Sequence, residues 1–238
     1  MGIGGEDQIV SCMKAVILAA GEGKRMLPLT RSVPKPLLRV KNRTILDYIF
    51  DALPPEIDQV VVVVGYLKKK IQEHLGYRYQ GKAIRYVVQD VLDGSATALL
   101  CCKELFLPDE RFLVIYGDDM TNRTEVEECL RYPYSWVCSK AANPKISGIA
   151  TIAADKRILE VIEKPEKPKG DMSAAGVMVI GSSIFKYLPT QHLNGEYYLT
   201  SLMNQFVADY TVHAVIGKER PAFVSPDEIE KLNLSTSV

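Results

Sequence analysis

Residues 15–19 form a short apolar run. The stretch that contains its end, residues 18–36, reads L-A-A-G-E-G-K-R-M-L-P-L-T-R-S-V-P-K-P. No other stretch constrains the fold as tightly. An apolar run this short, without polar alternation, fits a strand buried on both faces of a parallel sheet. After it come Gly21 and Gly23, the adjacent cations Lys24 and Arg25, and Lys35 between two prolines. A strand that ends in a loop rich in glycine and cations is suited to gripping phosphate. Glycines let backbone N–H groups approach the oxygens, and the cations offset their charge. The loop is not a Walker A loop, because no G-K-[ST] closes it, and Met26 stands where a G-x-G-x-x-G loop has its third glycine. Gly21 and Gly23 alone would equally fit a tight strand-to-helix turn. Arg25, Pro28 and Pro34-Lys35-Pro36 favour the phosphate reading, since two prolines hold the lysine in place.

The first half alternates strand and helix patterns. Strands are expected at 15–19, 59–64, 84–88 and 112–116. Thr44 with Asp47 three residues on is a capping-box pattern. Ile45, Leu46, Ile49, Phe50 and Leu53 then form one apolar face, which Pro54-Pro55 ends. Helices are also expected at 67–75 and 96–105. The alternation predicts an α/β fold: a doubly wound, mostly parallel, Rossmann-like sheet with ligands at the carboxyl ends of its strands. The glycine loop lies at one such end, and Gly117-Asp118-Asp119 at another. Strands expected at 136–139, 148–153, 158–163 and 174–180, with helices near 183–187 and 198–209, predict a smaller mixed or antiparallel portion in the second half. Residues 229–238 read as a frayed tail.

Of 238 residues, 47% are hydrophobic, enough for one large or two tightly joined lobes. Twenty-nine basic residues balance 29 acidic ones, which argues against nucleic acid or an anionic membrane as partner. No apolar run approaches the roughly 18 residues of a membrane span, and residues 1–12 lack the basic start and apolar centre of a signal peptide. Five cysteines without a C-x-x-C pair read as reduced thiols of a cytoplasmic protein. The three scattered histidines give no zinc site.

Residues 18–36 resemble the signature loop of the sugar-1-phosphate nucleotidylyltransferases. The resemblance continues in order through Q-D-V-L-D-G-S-A-T-A (89–98), Y-G-D-D (116–119), N-P-K-I-S-G (143–148), E-K-P (163–165), Ala175-Gly176 and G-E-Y-Y-L-T (195–200), covering about residues 13–227. It implies an N-terminal extension at 1–12 and a nucleotidyltransferase domain at 13–228. That domain would have a nucleotide-binding half at about 13–132 and a sugar-binding half at 133–228. Longer relatives carry a C-terminal β-helix of hexapeptide repeats, which this sequence lacks.

The implied reaction joins a nucleoside triphosphate to a sugar 1-phosphate and releases pyrophosphate. Its difficulty is electrostatic, so positioning and charge neutralisation carry it. By resemblance Arg25, Lys35 and Asp118 are catalytic, and Asp118 binds Mg2+ while Asp119 points elsewhere. Leu18, Ala20, Gly21 and Gly23 line the nucleotide. Gln89 and Gly94 read its base, an amide suiting the N3–H and carbonyl of uracil or thymine. Gly148, Glu163, Lys164, Gly176 and Glu196 face the sugar phosphate, with the Gly176 backbone passing close to the sugar. Lys24 reads as solvated. Each residue also has a plainer structural reading: surface charges for Arg25 and Lys35, a helix N-cap for Asp118, a polar strand end for Gln89, and exposed salt bridges for Glu163, Lys164 and Glu196.

Two departures from the family pattern stand out. Ala174 occupies a position that is often asparagine, which removes one sugar hydrogen bond. Ala222 falls where relatives commonly place a second metal-binding aspartate; a shifted alignment brings Glu219 there instead, although Glu219 also fits a solvated charge run. The expected function is uridylyl or thymidylyl transfer from UTP or dTTP to a sugar 1-phosphate, by a possible homo-oligomer. One alternative is cytidylyl or guanylyl transfer to phosphocholine, a heptose phosphate or another phosphorylated alcohol. Another is a non-catalytic nucleotide-binding regulatory protein.

Overall fold

The computed structural model describes residues 13–221 and 223–235. Strand β1 (Lys14–Ala19) is followed by single 3-10 turns at Lys24–Met26, Leu29–Arg31 and Lys35–Leu37. A small hairpin, β2 (Arg39–Val40) and β3 (Arg43–Thr44), leads into helix α1 (Ile45–Ala52). Then come β4 (Gln59–Val64), α2 (Lys68–Leu75), β5 (Arg78–Tyr79), β6 (Lys82–Val88), α3 (Ser95–Leu100), β7 (Arg111–Tyr116) and α4 (Arg123–Leu130). The second half adds β8 (Ser135–Lys140), β9 (Gly148–Ile152), β10 (Ile158–Glu163), β11 (Met172–Gly181), α5 (Leu199–Asp209), β12 (His213–Ile216) and α6 (Pro226–Leu234).

One ten-stranded sheet runs β10-β9-β11-β7-β1-β4-β6-β5, with β8 also on β11 and β12 on β8. The central strands β7, β1, β4 and β6 are parallel. The second-half strands β11, β9 and β10 join through antiparallel pairs, β11 against β7 and β9, and β10 against β9. The parallel α/β sheet and its more antiparallel extension are therefore both present, fused into a single sheet. Strand β1 shows why its sequence carries no alternation. Ala15, Ile17 and Ala19 pack with α1, α2, α4 and α6 on one face, and Val16 packs with α3 and α5 on the other.

The capping box expected at Thr44 forms. The Thr44 hydroxyl accepts the Asp47 N–H at 3.1 Å, and the Asp47 carboxylate accepts the Thr44 N–H at 2.8 Å. Ile45, Leu46, Ile49, Phe50 and Leu53 are all buried. Other expectations need correction. The helix expected at 96–105 stops at Leu100, and a 3-10 turn at Lys103–Leu105 follows. Helix α4 and strand β12 were not anticipated, although Asn122 caps α4 by accepting the Glu125 N–H at 3.1 Å, a readable signal. The frayed tail is overturned for residues 229–235. Helix α6 starts with proline in its first turn and carries Asp227 and Glu228 there. It buries Ile229 to 6% exposure, and Asn233 Oδ1 accepts the Lys41 N–H at 2.7 Å. The domain therefore extends past residue 228. The extension at 1–12 and residues 236–238 lie outside the described residues. Among the described residues no helix is long and apolar enough to cross a membrane.

Asp47 makes the α1 cap a pH-sensitive element. Burial raises its pKa, but hydrogen bonds from the Tyr79 hydroxyl, the Thr44 N–H and hydroxyl, and His74 outweigh burial and bring it down to about 2. Asp47 therefore adds stability above the roughly pH 3.9 of an unfolded aspartate, and that stability is lost as pH falls toward the folded value. Denaturant unfolding of the wild type and Asp47→Ala should give a gap at neutral pH that closes in acid. A gap that stays constant down to about pH 2 would show that ionised Asp47 is not its source.

Candidate active site

Strands β4 and β6 lie on one side of β1, and β7 on the other, so the chain reverses its direction of winding between β1 and β7. This is the switch point at which open α/β sheets bind ligands. Leu18 pairs with Tyr116, which brings the glycine loop beside Gly117-Asp118-Asp119. Gly117 fits because a Cβ there would come within 3.0 Å of Ala19 Cβ and the Leu18 carbonyl oxygen. Within the loop, Gly23 has φ +64°, and its carbonyl accepts the Thr30 hydroxyl at 2.9 Å. Gly21 faces open space. Leu18 and Ala20 flank the loop's start, with the Ala20 carbonyl accepting the Tyr66 N–H at 2.9 Å.

Lys35 is only 7% exposed, and its Nζ donates to Asp118 Oδ2 at 2.5 Å. The Asp118 carboxylate keeps 38% of its surface open. Burial pushes its pKa up, but the Lys35 charge and hydrogen bond, helped by the charge of Arg25, hold it below the usual carboxylate range. Arg25 is exposed and, among the described residues, forms no ion pair, so its charge is available to an incoming anion. Lys24 pairs instead with Glu22 at 2.7 Å on the surface.

Asp119 points the other way. It is buried, accepts the Gly176 N–H at 2.6 Å and pairs with Arg220. Burial raises its pKa; Arg220 and the Gly176 N–H offset this only in part, and the neighbouring Asp118 charge adds to the rise. The same guanidinium also holds the buried Glu125. Glu125 further accepts the Lys218 N–H at 2.9 Å and the Thr121 hydroxyl at 3.2 Å. The sequence reading passed over Arg220 in favour of its neighbour. Glu219 is exposed and makes no hydrogen bond or ion pair among the described residues. Ala222 lies outside the described residues. No group of three metal-binding side chains occurs among the described residues. On this wall the cleft offers Asp118 as a partly open carboxylate. That donor set fits magnesium held mainly by phosphate oxygens and water, an ion that keeps much of its hydration.

Gln89 is buried at the end of β6, and its amide nitrogen donates to the Gly94 carbonyl and to Thr97 Oγ1, both at 3.0 Å. Its amide oxygen has no protein partner among the described residues. Gly94, at φ +145°, lies against Tyr197, where a Cβ would meet the Tyr197 carbonyl oxygen at 2.2 Å. Backbone bonds Tyr197 N to Asp93 O at 2.7 Å and Ala96 N to Tyr197 O at 2.9 Å fasten the two segments together.

On the opposite wall, Glu163 Oε2 accepts the Thr200 hydroxyl at 3.2 Å, and a Cβ on Gly148 would meet Glu163 Oε2 at 3.2 Å. Burial raises the Glu163 pKa despite the neighbouring Lys164 charge. Lys164 packs on Tyr198, and Glu196 lies exposed in the loop before it, its carboxylate near the Tyr198 hydroxyl. Gly176 needs a different explanation from the one expected. A Cβ there would lie 2.6 Å from Tyr116 Cβ, so the missing side chain already makes room for Tyr116, a requirement separate from any approach of the Gly176 backbone to a sugar. Ala174 sits beside an irregularity in the β8–β11 ladder between Ala174 and Met178, a bulge at the edge of the cleft.

A glycine loop and an exposed cation, facing a lysine-held carboxylate at a switch point, make a candidate site for an anionic ligand such as nucleotide phosphate. The nucleotidyl transferase family description matches residues 14–220, and the chain belongs to that family. The bifunctional protein GlmU of Methanocaldococcus jannaschii is 31% identical over 205 residues, covering 85% of this chain and 49% of GlmU. The chain thus spans about half the length of the GlmU relatives it matches. The UTP–glucose-1-phosphate uridylyltransferase AglF of Haloferax volcanii is 31% identical over 207 residues, covering 82% of this chain and 84% of AglF. A UDP-glucose pyrophosphorylase structure shares the fold, with a TM-score of 0.81 at 18% identity, covering 93% and 97% of the two chains. These relatives bear out the resemblance to the sugar-1-phosphate nucleotidylyltransferases.

Removing Arg220 would leave two buried carboxylates without their cation. Arg220→Ala is expected to cost about 3–5 kcal/mol of stability, whereas Glu219→Ala should stay within about 0.5 kcal/mol. Equal losses in chemical unfolding would return Arg220 to the solvated surface charges.

Proposed function

We propose that the protein joins a nucleoside triphosphate, UTP or dTTP by preference, to a sugar 1-phosphate, giving a nucleotide sugar and pyrophosphate. The observation that carries this reading is Arg25 unpaired beside the Lys35–Asp118 pair at the carboxyl ends of adjacent strands. AglF, named for uridylyl transfer to glucose 1-phosphate, supports the substrate class.

In this reading the glycine loop and Arg25 take the triphosphate. A phosphate oxygen of the sugar 1-phosphate attacks the α-phosphorus in line; the new P–O bond forms as the bond to the β-phosphate oxygen breaks, and pyrophosphate leaves. No protein nucleophile is needed, because the barrier is mostly repulsion between anions. Asp118 would hold magnesium, which when bound with the triphosphate neutralises phosphate charge. Lys35 keeps Asp118 ionised and adds a nearly buried cation beside the reacting phosphates. Gln89 uses its amide nitrogen on Gly94, leaving its oxygen to accept from the N3–H of uracil or thymine. Lys164 receives the sugar phosphate, and Glu163 its hydroxyls.

The direct test is pyrophosphate release by the wild type with each common nucleoside triphosphate, magnesium and glucose 1-phosphate or other hexose 1-phosphates. UTP or dTTP should be preferred, and a preference for GTP or ATP would overturn the base reading. Lys35→Ala and Arg25→Ala should each cut turnover roughly a hundredfold or more, the loss typical of one preorganised charge-stabilising group. Near-normal kinetics in both would remove the phosphate assignment.

Asp118→Asn should abolish most magnesium-dependent turnover, because a neutral amide is a poorer ligand for a hard cation. Asp119→Asn should instead lower stability, through Arg220 and Gly176, with less effect on the magnesium dependence. Magnesium titrations that reverse the two would show that the wrong carboxylate has been chosen.

A further inference from the structure

Lys24 and Lys35 both end on carboxylates, Glu22 and Asp118. Lys164 does not. Its ammonium donates to the Tyr198 hydroxyl and lies over the Tyr198 ring, 4.3 Å from the centroid. The same hydroxyl accepts Asn194 Nδ2 at 2.7 Å, and the Glu196 carboxylate lies near enough to influence it. Both partners are held at the backbone. Lys164 leaves β10 with φ 45°, and its N–H is fixed on the Ser147 carbonyl at 3.0 Å. Tyr198 is the residue that enters α5, and the next N–H, from Leu199, is held by the Ser95 hydroxyl at 2.9 Å. Burial, and then the nearby Glu196 carboxylate, keep the phenol protonated through the neutral range.

The choice of a phenol has a chemical consequence. A carboxylate partner would neutralise the lysine and would have to be displaced by an incoming phosphate. A phenol fixes the ammonium with one neutral oxygen and the negative face of its ring, leaving the full positive charge in place. We propose that Tyr198 is a positioning residue for the phosphorylated acceptor, holding the Lys164 ammonium in place with its charge unspent for the acceptor's phosphate. The inference rests on the reaction proposed above, in which Lys164 meets that phosphate. Among the described residues no hydrogen bond or ring contact joins the Lys164 or Tyr198 side chain to the glycine loop or to residues 89–94, so the loss of the Tyr198 hydroxyl is expected to fall mainly on one substrate.

The experiment is initial-rate kinetics of pyrophosphate release, varying glucose 1-phosphate and the nucleoside triphosphate separately. The wild type, Tyr198→Phe, Lys164→Ala and the double variant are compared, with denaturant unfolding of each. Tyr198→Phe keeps the ring and loses the hydroxyl. It is expected to raise the KM for glucose 1-phosphate about tenfold, the loss of one hydrogen bond to a charged group, while the KM for the triphosphate changes less than about twofold. In the Lys164→Ala background the same change should add nothing, as expected for two residues acting as one unit. Asn194→Ala, which removes one donor to the same hydroxyl, should give a smaller rise on the sugar side alone. An unchanged sugar-phosphate KM in Tyr198→Phe overturns the inference, and so does an equal rise with and without Lys164. A wild type that releases no pyrophosphate with any triphosphate and sugar phosphate overturns the reaction itself and the inference with it, an outcome told apart by the wild type alone.

Discussion

The Lys35–Asp118 ion pair joins positions 83 residues apart, and much of the site depends on it. The pair forms because β1 and β7 lie side by side and in parallel, so that their carboxyl ends deliver the glycine loop and the Asp118 turn to the same edge. The prolines around Lys35 fix its backbone in a 3-10 turn, and its nearly buried stem leaves the ammonium few positions to occupy. Asp118 stays ionised against its burial because that ammonium is there. A carboxylate kept ionised at an open edge suits a hard cation, and a lysine kept charged beside it suits phosphate. Either residue alone would be a costly charge at a strand end.

The adjacent Asp119 shows how a small change in direction separates two roles. Asp118 turns into the cleft. Asp119 turns into the protein, where Arg220 gathers it with Glu125 and so fastens the segment after β12 to the loop after β7. One guanidinium between two carboxylates leaves a net negative charge in a buried place, consistent with the upward push on Asp119. The bond from the Gly176 N–H brings β11 into the same knot. The second-half wall of the cleft is thereby tied to the first half through a residue that touches no substrate in the proposed reaction.

Much of the fold was legible because local signals and burial agreed. The unalternating strands, the Thr44 capping box and the apolar face that follows it all point one way, and they formed where expected. The segments misread were those whose identity comes from distant partners. Residues 229–238 looked like a polar tail until Ile229 met the core and Asn233 met Lys41. Residues 218–220, Lys-Glu-Arg, look like a solvated charge run, and only the arrival of Asp119 and Glu125 singles out the arginine. Gly176 was read as backbone passing close to a sugar, and the structure adds a second demand for a glycine there, Tyr116, which no spacing rule along the chain could reveal. The placing of Lys164 on Tyr198 also joins residues 34 apart in sequence, with the whole of β11 between them.

The segment at 93–96 and the one around Tyr197 are laced backbone to backbone, with Gly94 wedged against the tyrosine's own peptide. Exchanging either segment alone would lose the fit between Gly94 and the Tyr197 peptide. In the reaction proposed above, a change made at 93–96 to alter base preference would therefore also shift the chain that leads to the residues facing the sugar phosphate. The two segments of this protein would have to be exchanged together.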